Sequence, residues 1–405
     1  MKKTLTLTCI LLLVMAAALM ATDTRVYTMG DNNNILLDDA NIWLYPSRTY
    51  EYPNIAVAEF GSSYVYPDKA LSPYDFYRFG AHWKLGSDKP MVLGTYFSNA
   101  PTAFPTDLMG GNLLTFRNGL GDNNRIDLFF GRQMSEYNFG AHLNLIQSST
   151  DFTGDSTATF PYKEGFGMYS LSLGLTPTTG KWDIAANIGI GTFKQENATG
   201  HKLADPDGFM DLSVMGRYFA QQGPNYTLIP HAAFGYSKRG VKFMDPVADT
   251  VTQGNKYTTS GFEVGCGWNY TPATNVLAVM DFGIQYYKWK GEGTPGGGTA
   301  SEASDTYTTI PYFKIGLDAD VFKWMDIRMG ATSYWDREKW VPEPMLERKY
   351  NSAYNDTYLG FGFHWNRLHV DTYTDPGLFL NGFNFISGRD SGQMNLQISA
   401  LYEMM

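Results

Sequence analysis

Trp182-Asp-Ile-Ala-Ala-Asn-Ile-Gly-Ile-Gly-Thr192 has two faces. Trp182, Ile184, Ala186, Ile188 and Ile190 fall on one, and Asp183, Ala185, Asn187, Gly189 and Gly191 on the other. A period of two belongs to a strand with one apolar and one polar side. Gly261-Phe-Glu-Val-Gly-Cys-Gly-Trp-Asn-Tyr270 repeats it, with Glu263, Gly265, Gly267 and Asn269 opposite the apolar set. Gln393-Met-Asn-Leu-Gln-Ile-Ser-Ala-Leu-Tyr402 does the same, with Gln393, Asn395, Gln397 and Ser399 on the polar side. Helical spacing is not sustained beyond the N-terminal leader. No later window holds 18 consecutive apolar residues, which excludes membrane-crossing helices.

Working outward, the alternation predicts sixteen strands, at about 54–65, 74–85, 91–97, 123–134, 139–147, 165–176, 182–193, 209–220, 226–237, 256–270, 275–289, 306–321, 326–335, 355–365, 368–374 and 392–403. Most have the ~9–11 residues that a tilted strand needs to cross a bilayer. Their connections alternate in length. Short ones fall at Gly86-Ser-Asp-Lys-Pro90, Ser135-Glu-Tyr-Asn138, Pro177-Thr-Thr-Gly-Lys181, Gln221-Gln-Gly-Pro-Asn225, Thr271-Pro-Ala-Thr274, Phe322-Lys-Trp-Met325 and Asn366-Arg367. Between them the reading places long loops at 98–122, 148–164, 238–255, 290–305, 336–354 and 375–391. Tight turns at one end and long loops at the other are the asymmetry of an outer-membrane barrel. The Gly-rich loop from Gly291 to Ala300 has no GxxxxGK[ST] context and is not a phosphate cradle.

Composition agrees. Aromatic residues make up 15%, glycine 42 residues, and mean hydropathy is still −0.27. A membrane barrel needs that mixture, because only alternate residues touch lipid and aromatic girdles mark both interfaces. Trp83, Trp182, Tyr226, Trp268, Tyr270, Trp324 and Trp365 stand near the short turns. Tyr96, Phe97, Tyr236, Tyr286, Trp289, Tyr334 and Trp335 stand near the long loops. Amphipathic rings settle at headgroup level.

Residues 1–21 read as a secretory signal peptide. Lys2 and Lys3 precede an apolar run from Leu5 to about Leu19, and Ala16, Ala17, Ala18 and Ala21 suit a signal peptidase. Cys9 lies before the apolar centre and is not a lipidated cysteine. Without the leader the balance is 29 basic against 40 acidic residues, near −11, which argues against nucleic acid as a partner. Only Cys266 remains, alternating with Val264 and Trp268 in a packing position, so no intramolecular disulfide forms.

Charges concentrate on the polar face: Arg78, His82, Lys84, Arg125, Asp127, Asp183, Asp211, Arg217, His231, Glu263, Asp281, Lys314, Asp318, Asp326, Arg328, His364 and Asp371. A charge on the lipid face costs ~2–4 kcal/mol at the midplane, so their phase assigns them to the lumen. Cross-strand ion pairing that holds the barrel shape is the ordinary role for such residues, and rings of charge can bias solute passage. His82, His142, His201, His231, His364 and His369 are scattered, and no GxSxG, HExxH or CxxC occurs. Catalysis, a metal site and a cofactor are therefore not expected.

Before the first strand comes Met29-Gly-Asp-Asn-Asn-Asn-Ile-Leu-Leu-Asp-Asp-Ala-Asn-Ile-Trp-Leu-Tyr-Pro-Ser47. Met29-Gly30, Asp38-Asp39-Ala40 and Pro46-Ser47, in that order, resemble the start of the FadL-like outer-membrane proteins, the long-chain fatty-acid and aromatic-hydrocarbon transporters and their relatives. Tyr45 stands where that family has Asn, and the chain ends Glu-Met-Met instead of in an aromatic residue. The family has 14 strands where sixteen are counted here. The resemblance implies a plug folded into the lumen and passage of hydrophobic substrates. It would give Asp38, Asp39, Trp43 and Pro46 to the plug, with Asp38 and Asp39 able to pair with lumen cations.

The expectation is an all-β, transmembrane antiparallel up-and-down barrel of 14–16 strands. It has a signal peptide at 1–21, a plug-like segment at 22–53 and the barrel at 54–405. Its expected role is uptake of small, hydrophobic molecules across the outer membrane of a Gram-negative-type bacterium. A general diffusion porin, or a non-transport anchor or assembly barrel for secreted proteins, are the alternatives. Expected partners are outer-membrane lipid, a small-molecule substrate and, during biogenesis, the barrel-assembly machinery.

Overall fold

A computed structural model describes residues 22–64, 76–88, 90–99, 124–151, 163–197, 200–221, 223–245, 251–293, 301–341, 347–374 and 394–404. The leader at 1–21 and almost all of the loops at 98–122 and 375–391 lie outside these residues.

The chain enters through a short helix, α1 (Asp23–Thr28), and two 3₁₀ turns, η1 (Asp39–Trp43) and η2 (Pro46–Glu51). The wall follows: β1 (Ile55–Tyr64), β2 (Phe76–Leu85), β3 (Met91–Ser98), β4 (Asn124–Met134), β5 (Tyr137–Asp151), β6 (Lys163–Pro177), β7 (Trp182–Glu196) and β8 (Lys202–Tyr218). The two residues of β9 (Ala220–Gln221) continue β8 past Phe219. Next come β10 (Tyr226–Met244), β11 (Val251–Ala273), β12 (Val276–Gly293), β13 (Ser301–Phe322), β14 (Met325–Val341), β15 (Arg348–Trp365), β16 (Leu368–Thr374) and β17 (Met394–Glu403). Each strand pairs antiparallel with its sequence neighbours, and β1 pairs with β17 from Ile55↔Glu403 to Tyr64↔Met394. The sheet therefore closes on itself with sixteen wall strands and no free edge.

Tight turns gather at one end. Ser135 and Asn366 take positive φ (56° each) in two-residue hairpins, and Gly86 and Gly180 do so at φ 82° and 66°. This left-handed conformation matches the twist of the flanking strands. Chain entry and exit share this end: Met404 N–H donates to Asn54 C=O at 2.7 Å.

The long loops are shorter than the sequence suggested. Most of 238–255, 290–305 and 336–354 is strand, as are the edges of 148–164, because β10 to β15 run 17 to 23 residues. Charged residues, Gly, Ser and Asn make up most of these extensions, so the ladder continues where the apolar alternation stops. A strand above the bilayer still needs its hydrogen bonds and no longer needs a greasy face.

Side-chain phase follows the pleat. Ile184, Ile188, Ile190, Val214, Phe234, Val264, Phe282 and Met329 are exposed on the outside, while Asp183, Asn187, Arg217 and Asp281 are buried inside. Trp83, Trp268, Tyr270, Trp324 and Trp365 ring the short-turn end of the outer face, with Phe97 and Trp335 toward the other. Three residues assigned to that second girdle turn inward instead: Tyr96 is buried against Trp43, Trp289 stacks on Tyr257, and Tyr334 lies 6.5 Å from Tyr312. Neighbours on a strand point to opposite faces, so Tyr96-Phe97 and Tyr334-Trp335 cannot both meet lipid. Register slips at Pro311 between Thr309 and Tyr312, which brings both of these residues to the inner face. An apolar outside, a polar inside and aromatic rings near both ends define a barrel of the outer-membrane type.

Phase makes a direct prediction. Ile188→Arg should destabilise the barrel by ~2–4 kcal/mol, and Thr192→Arg, on the same face near the outer interface, by ~0–1 kcal/mol. Equal losses in urea titrations of vesicle-embedded protein would show that this face does not meet lipid.

Candidate functional site in the barrel lumen

Residues 22–53 lie inside the ring, bonded to inward-facing side chains around its circumference. Thr22 Oγ1 donates to Asp371 Oδ2 on β16 at 2.8 Å. Asp23 N–H donates to Glu59 Oε1 on β1 at 3.0 Å, and its carboxylate meets Arg78 on β2. Thr24 pairs with Ser399 on β17, and Arg25 Nε donates to Asp318 on β13 at 2.9 Å. Lys314 Nζ donates to Asp31 C=O at 2.9 Å, Asn34 Nδ2 to Glu263 at 2.9 Å, and Asn269 Nδ2 to Ile35 C=O at 2.8 Å.

Arg217 on β8 is the hub of the opposite side. Its Nη1 donates to the carbonyls of Asn33, Asn34 and Leu36, its Nη2 to Asn41 Oδ1, and its Nε to Asp183 Oδ2 at 2.7 Å. Asp183 also accepts from Arg48 Nε at 2.9 Å and from Thr176 Oγ1 at 2.6 Å. A guanidinium suits this place, since its planar fork of five donors serves carbonyls and a carboxylate together.

Trp43 is held by cations and rings. Arg78 lies 4.3 Å and Arg125 5.4 Å from its ring, which Tyr96, Phe129 and His142 contact edge-on. Arg125 is fixed by Asp127, which also binds His142 and Asn144. Such cation–π contacts are strongest where water is excluded.

The wall is notched to receive the segment. A Cβ at Gly140 would lie 2.0 Å from Pro46 O, at Gly174 2.7 Å from Ser47 N, at Gly131 2.7 Å from Tyr50 N, at Gly316 2.4 Å from Met29 O and at Gly330 2.3 Å from Gly30 N. Only a hydrogen fits at these positions. Sequence reading placed such glycines on the polar face and missed their use as seats. The available signal was that glycine recurs at inward positions on strand after strand.

The remaining lumen candidates take up mixed positions. His82 Nδ1 sits 2.8 Å from Tyr52 C=O. His231 lies between Asp281 (3.0 Å) and Glu263 (3.6 Å). Asp318, Asp320 and Asp326 bring carboxylate oxygens within 4.8 Å of one another, and Arg25, Arg328 and His364 pair with Asp318 and Asp326. Lys84 keeps the inward phase but is exposed at the short-turn rim. Asp39, Trp43 and Pro46 are buried. Asp38 does not meet a cation of the wall at contact distance; its ion-pair neighbour is Arg25 of its own segment, 3.9 Å away.

That burial pushes the Asp38 carboxyl up to about 6, against the pull of Arg25 and Arg217. The released segment would titrate near 3.8, so the docked state takes up a proton first as pH falls. The cost of the buried charge is fully present above about 6 and vanishes below about 4, a swing of roughly 3 kcal/mol. A cysteine placed at Ala40 should therefore lose more labelling between pH 7 and pH 5 than a freely exposed cysteine, whose own thiolate fraction falls with pH. Asp38→Asn should reduce that dependence; an unaltered pH profile would show that Asp38 does not set it.

No protein-family profile matches the chain, and no curated protein matches it in sequence. Solved structures that resemble it include the toluene transporter TodX of Pseudomonas putida, 9% identical, with a TM-score of 0.41 over 95% of this chain and 99% of that one. The monoaromatic hydrocarbon channel CymD is 9% identical, with a TM-score of 0.38 over 94% and 97%. The open form of the ferric-catecholate import receptor Fiu of E. coli K12 is 7% identical, with a TM-score of 0.35 over 86% and 81%. At such identities no residue's role is carried over from them.

Proposed function

We propose that this barrel admits small hydrophobic molecules across the outer membrane, with residues 22–53 acting as a plug that bars a direct aqueous path. One observation carries the reading. On the loop side of the segment, Ile146, Phe166, Met168, Phe193, Phe209 and Val241 form adjoining apolar clusters at inward positions of β5, β6, β7, β8 and β10. Met168 lies six residues beyond Gly174, one of the seats of the segment, so this patch stands ~15 Å above it at ordinary strand rise and tilt. An apolar concavity with polar groups around it is how small-ligand sites are built. A water-filled diffusion pore gains nothing from greasy side chains on its inner wall. Entry at the loop-side mouth, capture on this patch and exclusion of bulk water by the segment form one coherent path.

Phe193→Asp together with Phe166→Ser should weaken binding of a small aromatic fluorophore to the detergent-solubilised protein at least about tenfold, since two apolar contacts of 1.5–3 kcal/mol each are at stake. Fluorescence titration gives the Kd. Unchanged affinity in a folded double variant would defeat the reading.

A further inference from the structure

The outer face of β10, β11 and β12 changes character abruptly. Phe234, Phe262, Val264, Phe282 and Ile284 are exposed, and the Phe262 and Tyr286 rings stack at 5.6 Å. Beyond them the same outward positions carry Lys288, then Lys238 and Lys290, then Lys256, then Lys242. Pairing places them together. Ser260 faces Tyr236 and Lys288, Thr258 faces Lys238 and Lys290, and Gly254 faces Lys242.

Their height is set by the ladder. Tyr270 belongs to the girdle at the short-turn end, and Ser260 lies ten residues further along β11. At ~3.3 Å per residue and ~40° tilt this is ~25 Å, the full height of a barrel's apolar band. Lys288 therefore stands where that band ends, and the other four climb from there in steps of ~5 Å.

Charge at this level is unbalanced. Asp207 serves both Lys242 (2.9 Å) and Lys256 (3.3 Å), and Glu292 serves Lys290 (2.7 Å). Among the described residues, Lys288 has no carboxylate at ion-pair distance, and Lys238 has only the longer-range attraction of Glu292. Asp205 faces Lys242 from β8 and is taken by Lys202 at 3.2 Å, and Glu302 of β13 faces Glu292 in the register. Six ammoniums against these four carboxylates leave +2 on a chain whose formal charge is −9. On β13, Thr308 faces Tyr286 and Thr306 faces Lys288, so the basic patch stops there. Like charges side by side on neighbouring strands are unfavourable unless something anionic covers them.

We infer that this face is a binding site for a phosphorylated, multiply acylated glycolipid of the outer leaflet, a lipopolysaccharide. Its acyl chains lie on Phe234, Phe262 and Tyr286, and its phosphates meet Lys238, Lys256, Lys288 and Lys290. Both halves of the amphiphile are matched at the heights where the bilayer presents them. The inference rests on the wall alone and is independent of what passes through the lumen.

The test uses full-length folded protein in detergent, deep-rough lipopolysaccharide, the same lipid after enzymatic dephosphorylation, and a soluble sulfated polysaccharide as competitor. The variant is Lys238→Gln/Lys256→Gln/Lys288→Gln, checked for folding by its heat-modifiable gel mobility. Binding of intact lipopolysaccharide should weaken between about ten- and a hundredfold in the variant, at ~1 kcal/mol per interfacial lysine. Dephosphorylation should cause a similar loss for the unaltered protein and little for the variant. Equal binding by both proteins, equal binding of both lipids, or full displacement of the lipid by the sulfated polysaccharide would overturn the assignment.

Discussion

Removal of residues 29–50 is expected to raise single-channel conductance in a planar bilayer at least about tenfold, because a barrel of sixteen strands is wide enough to leave an aqueous channel once nothing crosses it. The deleted residues hold Trp43, the Arg48–Asp183 pair and the backbone carbonyls that Arg217 caps. The wall keeps partners of its own after the deletion: Arg217 retains Asp183, Arg78 retains Glu59, and Arg125 retains Asp127. The ladder hydrogen bonds are untouched, so the variant should still show heat-modifiable mobility. Conductance equal to that of the full-length protein, in a folded variant, would defeat the plug and move weight to an open pore narrowed elsewhere.

Arg217→Met should produce the largest effect of any single change in the lumen. Arg217 and Asp183 are both fully buried, and the guanidinium also serves three main-chain carbonyls and Asn41. Removing one partner of a buried pair commonly costs 3–5 kcal/mol, because the other is left without full compensation. Here Arg48 still faces Asp183, which places the expected loss near ~3 kcal/mol. Adding Asp183→Asn should recover part of it, a less-than-additive cycle read from urea midpoints. Strict additivity would show that the two side chains do not act as a pair. Labelling of a cysteine at Ala40 should rise in the same variant, since the loop at Asn33 to Leu36 loses its cap.

How much of this could be read beforehand depends on the range of the interaction. Strand phase is local: Asp183 and Ile188 declare opposite faces within six residues, and the wall followed from such stretches. The tall extensions of β10 to β15 were read as loops because their outward residues are mostly charged, polar or Gly, such as Lys242, Gly254, Glu292 and Lys339, which give no apolar alternation, although their backbone pairing continues. The N-terminal segment was singled out by a resemblance and by its apolar content. Its anchors were not legible. Arg217 was placed in the lumen by phase, but its partners Asn33 and Leu36 lie more than 180 residues away in sequence. Asp38 was expected to meet cations of the wall, and local geometry gave it Arg25 instead, thirteen positions earlier. Glycine seats such as Gly140 and Gly330 are recognisable only once the backbone that presses on them is known.

Those seats also dictate an order of assembly. The segment precedes every wall strand in the chain, yet its contacts reach Asp371 and Ser399, separated from it by 349 and 375 residues. Its notches are cut into strands as far apart as β4 and β14. The full set of those surfaces exists only once the last hairpin has closed on β1, so the segment is the last part to settle. Contacts of such span form late, since the chain between them must be ordered before they can be made. Docking of the segment is therefore expected as the last step of maturation, after the wall has closed.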